Sequence, residues 1–170
     1  MNPFLKGFTV LTICFVTAGC VGLAKHEAEF NPGYASAVPA EFEVLLVTNC
    51  TGTTFDFDIT EELRKQLNLQ LQEQRLDWHS SSADKHLLLD VEILDYIKGN
   101  AFGRWISPGI GKTLLDVQCV ITESESGTNV GKVKALRTID CGGLYSVGQW
   151  KVIFHTVAKD IVGELKKTPN

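Results

Sequence analysis

The sequence predicts an α+β fold: a mostly antiparallel sheet of about five strands, in the order β-α-β-β-β-β-α, with two helices packed on one face. Three observations predict it. Apolar and polar residues alternate around 86–98 and 115–122, the period of a half-buried strand. Two segments, 59–74 and 145–167, place apolar residues at three- and four-residue steps, the period of a helix face. The strand-like segments fall mainly in one run between those helices, which favours hairpins over repeated βαβ units.

The elements follow in order. Residues 41–47 (EFEVLLV) begin with alternation and end apolar, as a partly buried strand does. Residues 48–58 hold Gly52 and four threonines and read as a loop. Asp58 and Glu61 have capping-box spacing, and Ile59, Leu63, Leu67 and Leu71 follow at four-residue steps. A short strand is expected at Leu76-Asp77-Trp78, then a polar turn over 80–84. Leu87, Leu89, Val91 and Ile93 make the clearest strand. On that parity Asp95 also faces the core. A glycine-bearing connection covers 99–111. Leu115, Val117, Cys119 and Ile121 form the next strand, ESESGTN over 123–129 the turn, and 130–139 the returning strand. Gly142-Gly143 breaks the chain before the last helix, whose stripe is Val147, Trp150, Phe154, Val157, Ile161 and Leu165.

Composition excludes several classes. The chain has 170 residues, 44% hydrophobic and 21% charged, which is globular rather than disordered or collagen-like. Its 16 Lys+Arg against 20 Asp+Glu are too acidic for a protein that holds nucleic acid by its phosphates.

The first 19 residues read as a signal peptide. Lys6 supplies a positive start, and 8–16 form an apolar run too short to span a bilayer. Ala18-Gly19-Cys20 resembles the lipobox of bacterial lipoproteins, although Thr17 stands where an aliphatic residue is commoner. The resemblance implies that Cys20 becomes the lipid-modified first residue of the mature chain. Val21 after it, rather than Asp, implies the outer membrane; the alternatives are the inner membrane or secretion. Residues 20–40, with Pro32-Gly33, Pro39 and five alanines after Cys20, read as a lipidated tether with a coil span of about 25 Å. The folded periplasmic domain is then 41–167.

Residues 99–167 resemble a family of bacterial lipoproteins catalogued as domain of unknown function 4410. The shared features are 99–104 leading into Pro108-Gly109-Ile110-Gly111, the paired strands with Ser126-Gly127 in their turn, and Gly142-Gly143-Leu144. The element order also resembles the penicillin-binding-protein activator lipoprotein and the curli secretion lipoprotein core. These resemblances imply a periplasmic domain that binds other macromolecules, and they bring no catalytic residues.

Candidate chemistry is sparse. Gly109-Ile110-Gly111-Lys112-Thr113 ends like a phosphate-binding loop, but Ile106 stands where its first glycine belongs. Lys112-Thr113 also lead into a strand, whereas a phosphate cradle opens a helix; no nucleotide is expected. His26, His79, His86 and His155 lack metal-ligand spacing, and no serine sits in GxSxG. No catalytic residue, metal or cofactor is therefore expected. Cys50, Cys119 and Cys141 remain in an oxidising compartment, so one internal bridge is available. Cys50–Cys141 is the first choice, and Cys119–Cys141 is its rival. Phe102, Arg104 and Trp105 form a loop suited to a partner contact. The function expected is a non-catalytic envelope module that binds a protein partner. A small-ligand-binding lipoprotein and a cryptic envelope enzyme are the alternatives.

Overall fold

A computed structural model describes residues 22–31, 40–79, 85–100, 102–103, 110–140 and 149–167. The elements are β1 (Ala24–Phe30), β2 (Ala40–Asn49), α1 (Ile59–Gln74), β3 (Lys85–Ile97), β4 (Thr113–Glu123), β5 (Asn129–Ile139) and α2 (Gln149–Leu165). Five strands form one sheet in the order β1-β5-β4-β3-β2. Every neighbouring pair is antiparallel except β2 and β3, whose parallel pairing α1 makes possible by carrying the chain back across the sheet. The α+β class, the five strands and the two helices on one face are as expected.

Helix α1 starts where the capping residue sits. Asp58 accepts hydrogen bonds from the backbone N–H groups of Thr60 at 2.9 Å and Glu61 at 3.1 Å, which supplies partners for donors that the helix leaves unpaired. It ends at Arg75, which turns left-handed at φ 56°. Ile59, Leu63, Leu67 and Leu71 are buried. On α2, Phe154, Val157, Ile161 and Leu165 are buried as the stripe requires, joined by Ile153, Ala158 and Val162. Both helices lie on Leu87, Leu89, Val91, Ile93, Leu115, Val117, Cys119, Ile121, Val133 and Ala135. Arg137 on β5 grips Asp160 on α2 through two parallel hydrogen bonds, so its charge is neutralised where it is half buried.

Two details of the order differ from expectation. Leu76-Asp77-Trp78 is not a strand. It makes a single parallel bridge, Phe42 to Asp77, with Phe42 N–H donating to Leu76 O and Trp78 N–H donating to Phe42 O. The fifth strand is instead β1, inside the stretch read as a tether, so the order is β-β-α-β-β-β-α. Its inward side is formed by alanines, a histidine and one phenylalanine, a pattern too weakly apolar to stand out. Gly131 lets β1 come close, since a Cβ there would lie 2.6 Å from Glu29 O.

A bulge in β3 sets a third difference. The pairing with β4 shifts between Ile93 and Asp95, so Tyr96 takes the core position and Asp95 is exposed. Tyr96 then packs among Phe55, Phe57 and Phe154, with ring centroids 5.1–6.0 Å away. Its buried hydroxyl has no hydrogen-bond partner among the described residues.

Two substitutions test this core. Phe154→Ala costs about 3–5 kcal/mol of unfolding free energy. Tyr96→Phe removes an unsatisfied hydroxyl and keeps the ring, so it gains about 1 kcal/mol. Urea denaturation checks both, and a loss for Tyr96→Phe would mean the hydroxyl has a partner in solution.

Candidate functional site: the open face of the sheet

No described helix covers the second face of the sheet. Beyond a row of Glu43, Leu88 and Thr122, the pairings set four more across it. Leu46, Asp90, Val120, Lys132 and Glu29 form the first, and Thr48, Glu92, Gln118, Lys134 and Glu27 the second. Asp95, Asp116, Leu136 and Lys25 form the third. The last is Ile97, Leu114 and Thr138, closed by Leu23, whose backbone exchanges hydrogen bonds with Thr138. The first, third and fourth rows mix aliphatic with polar side chains and the second is polar throughout, and most side chains on β3, β4 and β5 here are half buried.

The charges on this face are unevenly spread. Toward β1 they pair: Lys132 lies 3.4 Å from Glu29, and Lys25 4.0 Å from Glu27. Toward β3 the acids gather as Asp90, Glu92, Asp95 and Asp116, with Gln118 donating to Glu92 at 3.2 Å. Burial raises the Asp116 carboxyl above its ordinary range, Asp95 opposite adds to the rise, and Lys134 opposes it. A raised folded value means that the native state favours the protonated acid. That stabilisation is complete below the ordinary carboxylate range and is lost as pH rises through the folded value.

The residues singled out from sequence do not converge. Cys20, Arg104, Trp105 and Cys141 lie outside the described residues, so the Cys50–Cys141 and Cys119–Cys141 pairings do too. Cys50 is exposed just after β2, its N–H donating to Ile93 O. Cys119 is in the core, where burial pushes its thiol up to about 12. Phe102 is 59% exposed, and its N–H donates to the Asn100 side chain. Thr113 opens a strand, with its hydroxyl donating to Lys98 O.

The histidines are dispersed. His26 lies 3.2 Å from Glu164, His79 3.3 Å from Asp77, and His155 3.3 Å from Gln66. His86 stacks on Trp78, with its Nε2 2.8 Å from Glu43 at an angle that makes no hydrogen bond. Among the described residues no three His, Cys, Asp or Glu side chains are grouped to hold a metal. A hollow of about 510 Å³ is ringed by Glu41, Gln72, Arg75, Asp77 and His79. Sequence reasoning missed the Asp95–Asp116 pairing, because only the β3 bulge brings Asp95 to that face.

The carboxylate pair makes a pH-dependent prediction. Asp116→Asn stabilises the fold at neutral pH by a few tenths of a kcal/mol, roughly the scale of an exposed charge contact. The gain vanishes near pH 3, where the native carboxyl is protonated; parallel melts at the two pH values check it.

Among the solved structures that share the fold are two that align over most of the chain. Both are dodecamers of PelC from Paraburkholderia phytofirmans. They are 14% and 15% identical to this chain, with TM-scores of 0.51 and 0.53, and in each case the alignment covers 82% of this chain and 97% of the other. No curated protein matches. The order β-α-β-β-β-β-α, on which the resemblance to the penicillin-binding-protein activator and curli lipoproteins rested, is not the order found. Residues 54–143 match the family described as "Domain of unknown function (DUF4410)". That segment runs from before α1 to just beyond β5 and so includes the loop and hairpin features noted above. It is more than half of the chain, and the protein belongs to the DUF4410 family.

Proposed function

We propose that this protein is a lipoprotein anchored through acyl chains on Cys20 to the periplasmic face of the outer membrane. Its domain is a non-catalytic assembly module that docks an envelope protein, further copies of itself included. The observation that carries the docking role is the open sheet face. It holds rows that mix aliphatic with charged residues beside one wholly polar row, it is largely half buried, and no described helix covers it. Such mixed patches are what partner surfaces use, with aliphatic contacts for affinity and charges for register.

Two further features support assembly. Strand β1 ends the sheet on one side and β2 on the other, so one body carries two different edges. Contacts between unlike surfaces join copies head to tail and close into rings when the rotation allows. The PelC structures that share this fold are dodecamers. For the anchor, the support is Ala18-Gly19-Cys20 after a short apolar run. Among the described residues no helix is long and apolar enough to cross a membrane.

Photocrosslinking in intact cells tests the role. A photoreactive residue in place of Gln118, on the open face, gives discrete adducts. The same residue in place of Lys65, on the exposed side of α1, gives none. Cys20→Ala releases the protein from the membrane fraction and weakens the Gln118 adducts. A monodisperse monomer with no adduct from position 118 would overturn the docking role, and membrane retention of Cys20→Ala would overturn the anchor.

A further inference from the structure

The folded domain begins almost at the anchoring residue. Gly22 packs so closely on β5 that a Cβ there would run into the Thr138 carbonyl. Leu23 exchanges hydrogen bonds with Thr138, N–H to Oγ1 at 2.9 Å and O to N–H at 2.9 Å. Two peptide units separate Cys20 from Gly22, a reach of about 7 Å at most. An acyl-bearing Cys20 therefore fixes one end of the sheet at the bilayer surface. It is the end where β1 and β4 begin and β3 and β5 finish.

That end is the apolar one. Its last row on the open face holds Leu23, Leu114 and Ile97, with Thr138 between Leu23 and Leu114. Leu23 is 55% exposed, Phe102 59% and Ile110 56%. Phe102 and Ile110 belong to the β3–β4 connection, whose two arms meet there, because Asn100 N–H donates to Gly111 O. Trp150 and Val152 open α2 at the same end. Trp150 lies against Phe57, with Lys98 and Lys151 both 5.1 Å from its ring. Lys112 is exposed between Ile110 and β4. Exposed aliphatics, an aromatic and lysines in one belt form the pattern of an interfacial surface, the apolar groups entering the acyl boundary and the lysines staying among the headgroups.

We infer that this end of the domain, led by Leu23, Phe102 and Ile110, lies in the lipid interface, so that the domain stands on the bilayer instead of swinging from a tether. The occupant of this surface is the phospholipid bilayer itself. The inference rests on the acylation of Cys20, and the short reach from that residue is what selects lipid over a protein partner here.

The test uses the full acylated protein in phosphatidylethanolamine–phosphatidylglycerol vesicles that contain brominated phosphatidylcholine. Two variants each keep one tryptophan, Trp150 at this end or Trp78 at the other, the remaining tryptophans being replaced by Phe. Bromine quenches Trp150 and leaves Trp78 unchanged. Adding Phe102→Ser and Ile110→Ser lowers the Trp150 quenching severalfold, while flotation with the vesicles and thermal stability are kept. Equal quenching of the two tryptophans in protein that floats would overturn the inference and leave the anchor standing. Protein purified from membranes without acyl groups on Cys20 would overturn both.

Discussion

The arrangement depends on one constraint: side chains alternate across a five-stranded sheet, and the described residues supply two helices, both on one side of it. Leu63, Leu67 and Leu71 from α1 and Phe154, Val157 and Ile161 from α2 close over Leu89, Val91, Leu115, Val117 and Ile121. The contact is apolar, and Arg137 pairs with Asp160 at its edge. Once that side is filled, the other side must meet water or a partner with what remains. There Val120 lies between Asp90 and Lys132, and Leu136 beside Asp116, while the row through Glu92, Gln118 and Lys134 is polar throughout.

The same constraint gives the molecule two distinct ends. At one, Phe42 is held by Leu76 and Trp78, and Trp78 stacks on His86. At the other, the β3 bulge turns Tyr96 inward, and the aromatic group around it carries the start of α2. Gly22 seats the N-terminal approach on that second end. Under the proposed anchor at Cys20, the sheet would be oriented with its open face standing roughly upright from the membrane.

Much of this was legible in the sequence, and what was not has physical reasons. Strands β3, β4 and β5 declare themselves because Leu, Val and Ile alternate with charges, and both helices do so through unbroken stripes. Strand β1 does not, since an edge strand that leans on Gly131 needs little apolar surface and reads like a linker. Asp95 follows the core parity until a bulge, which no pattern marks, shifts the register by one. The Leu76–Trp78 segment looks strand-like by composition but has room for only one bridge on β2. For the site, the lipobox-like Ala18-Gly19-Cys20 stands out in the sequence because such a pattern is local. The open-face rows do not, because they depend on which strands become neighbours.

The central claim is that Cys20 begins the mature chain and carries the lipid. Mass spectrometry of the N-terminal peptide from membrane-extracted protein tests it most directly. The account predicts a peptide beginning at Cys20, heavier than its sequence by a diacylglyceryl group, with or without a further acyl chain on the amine. An unmodified peptide, or one beginning at another residue, would contradict it.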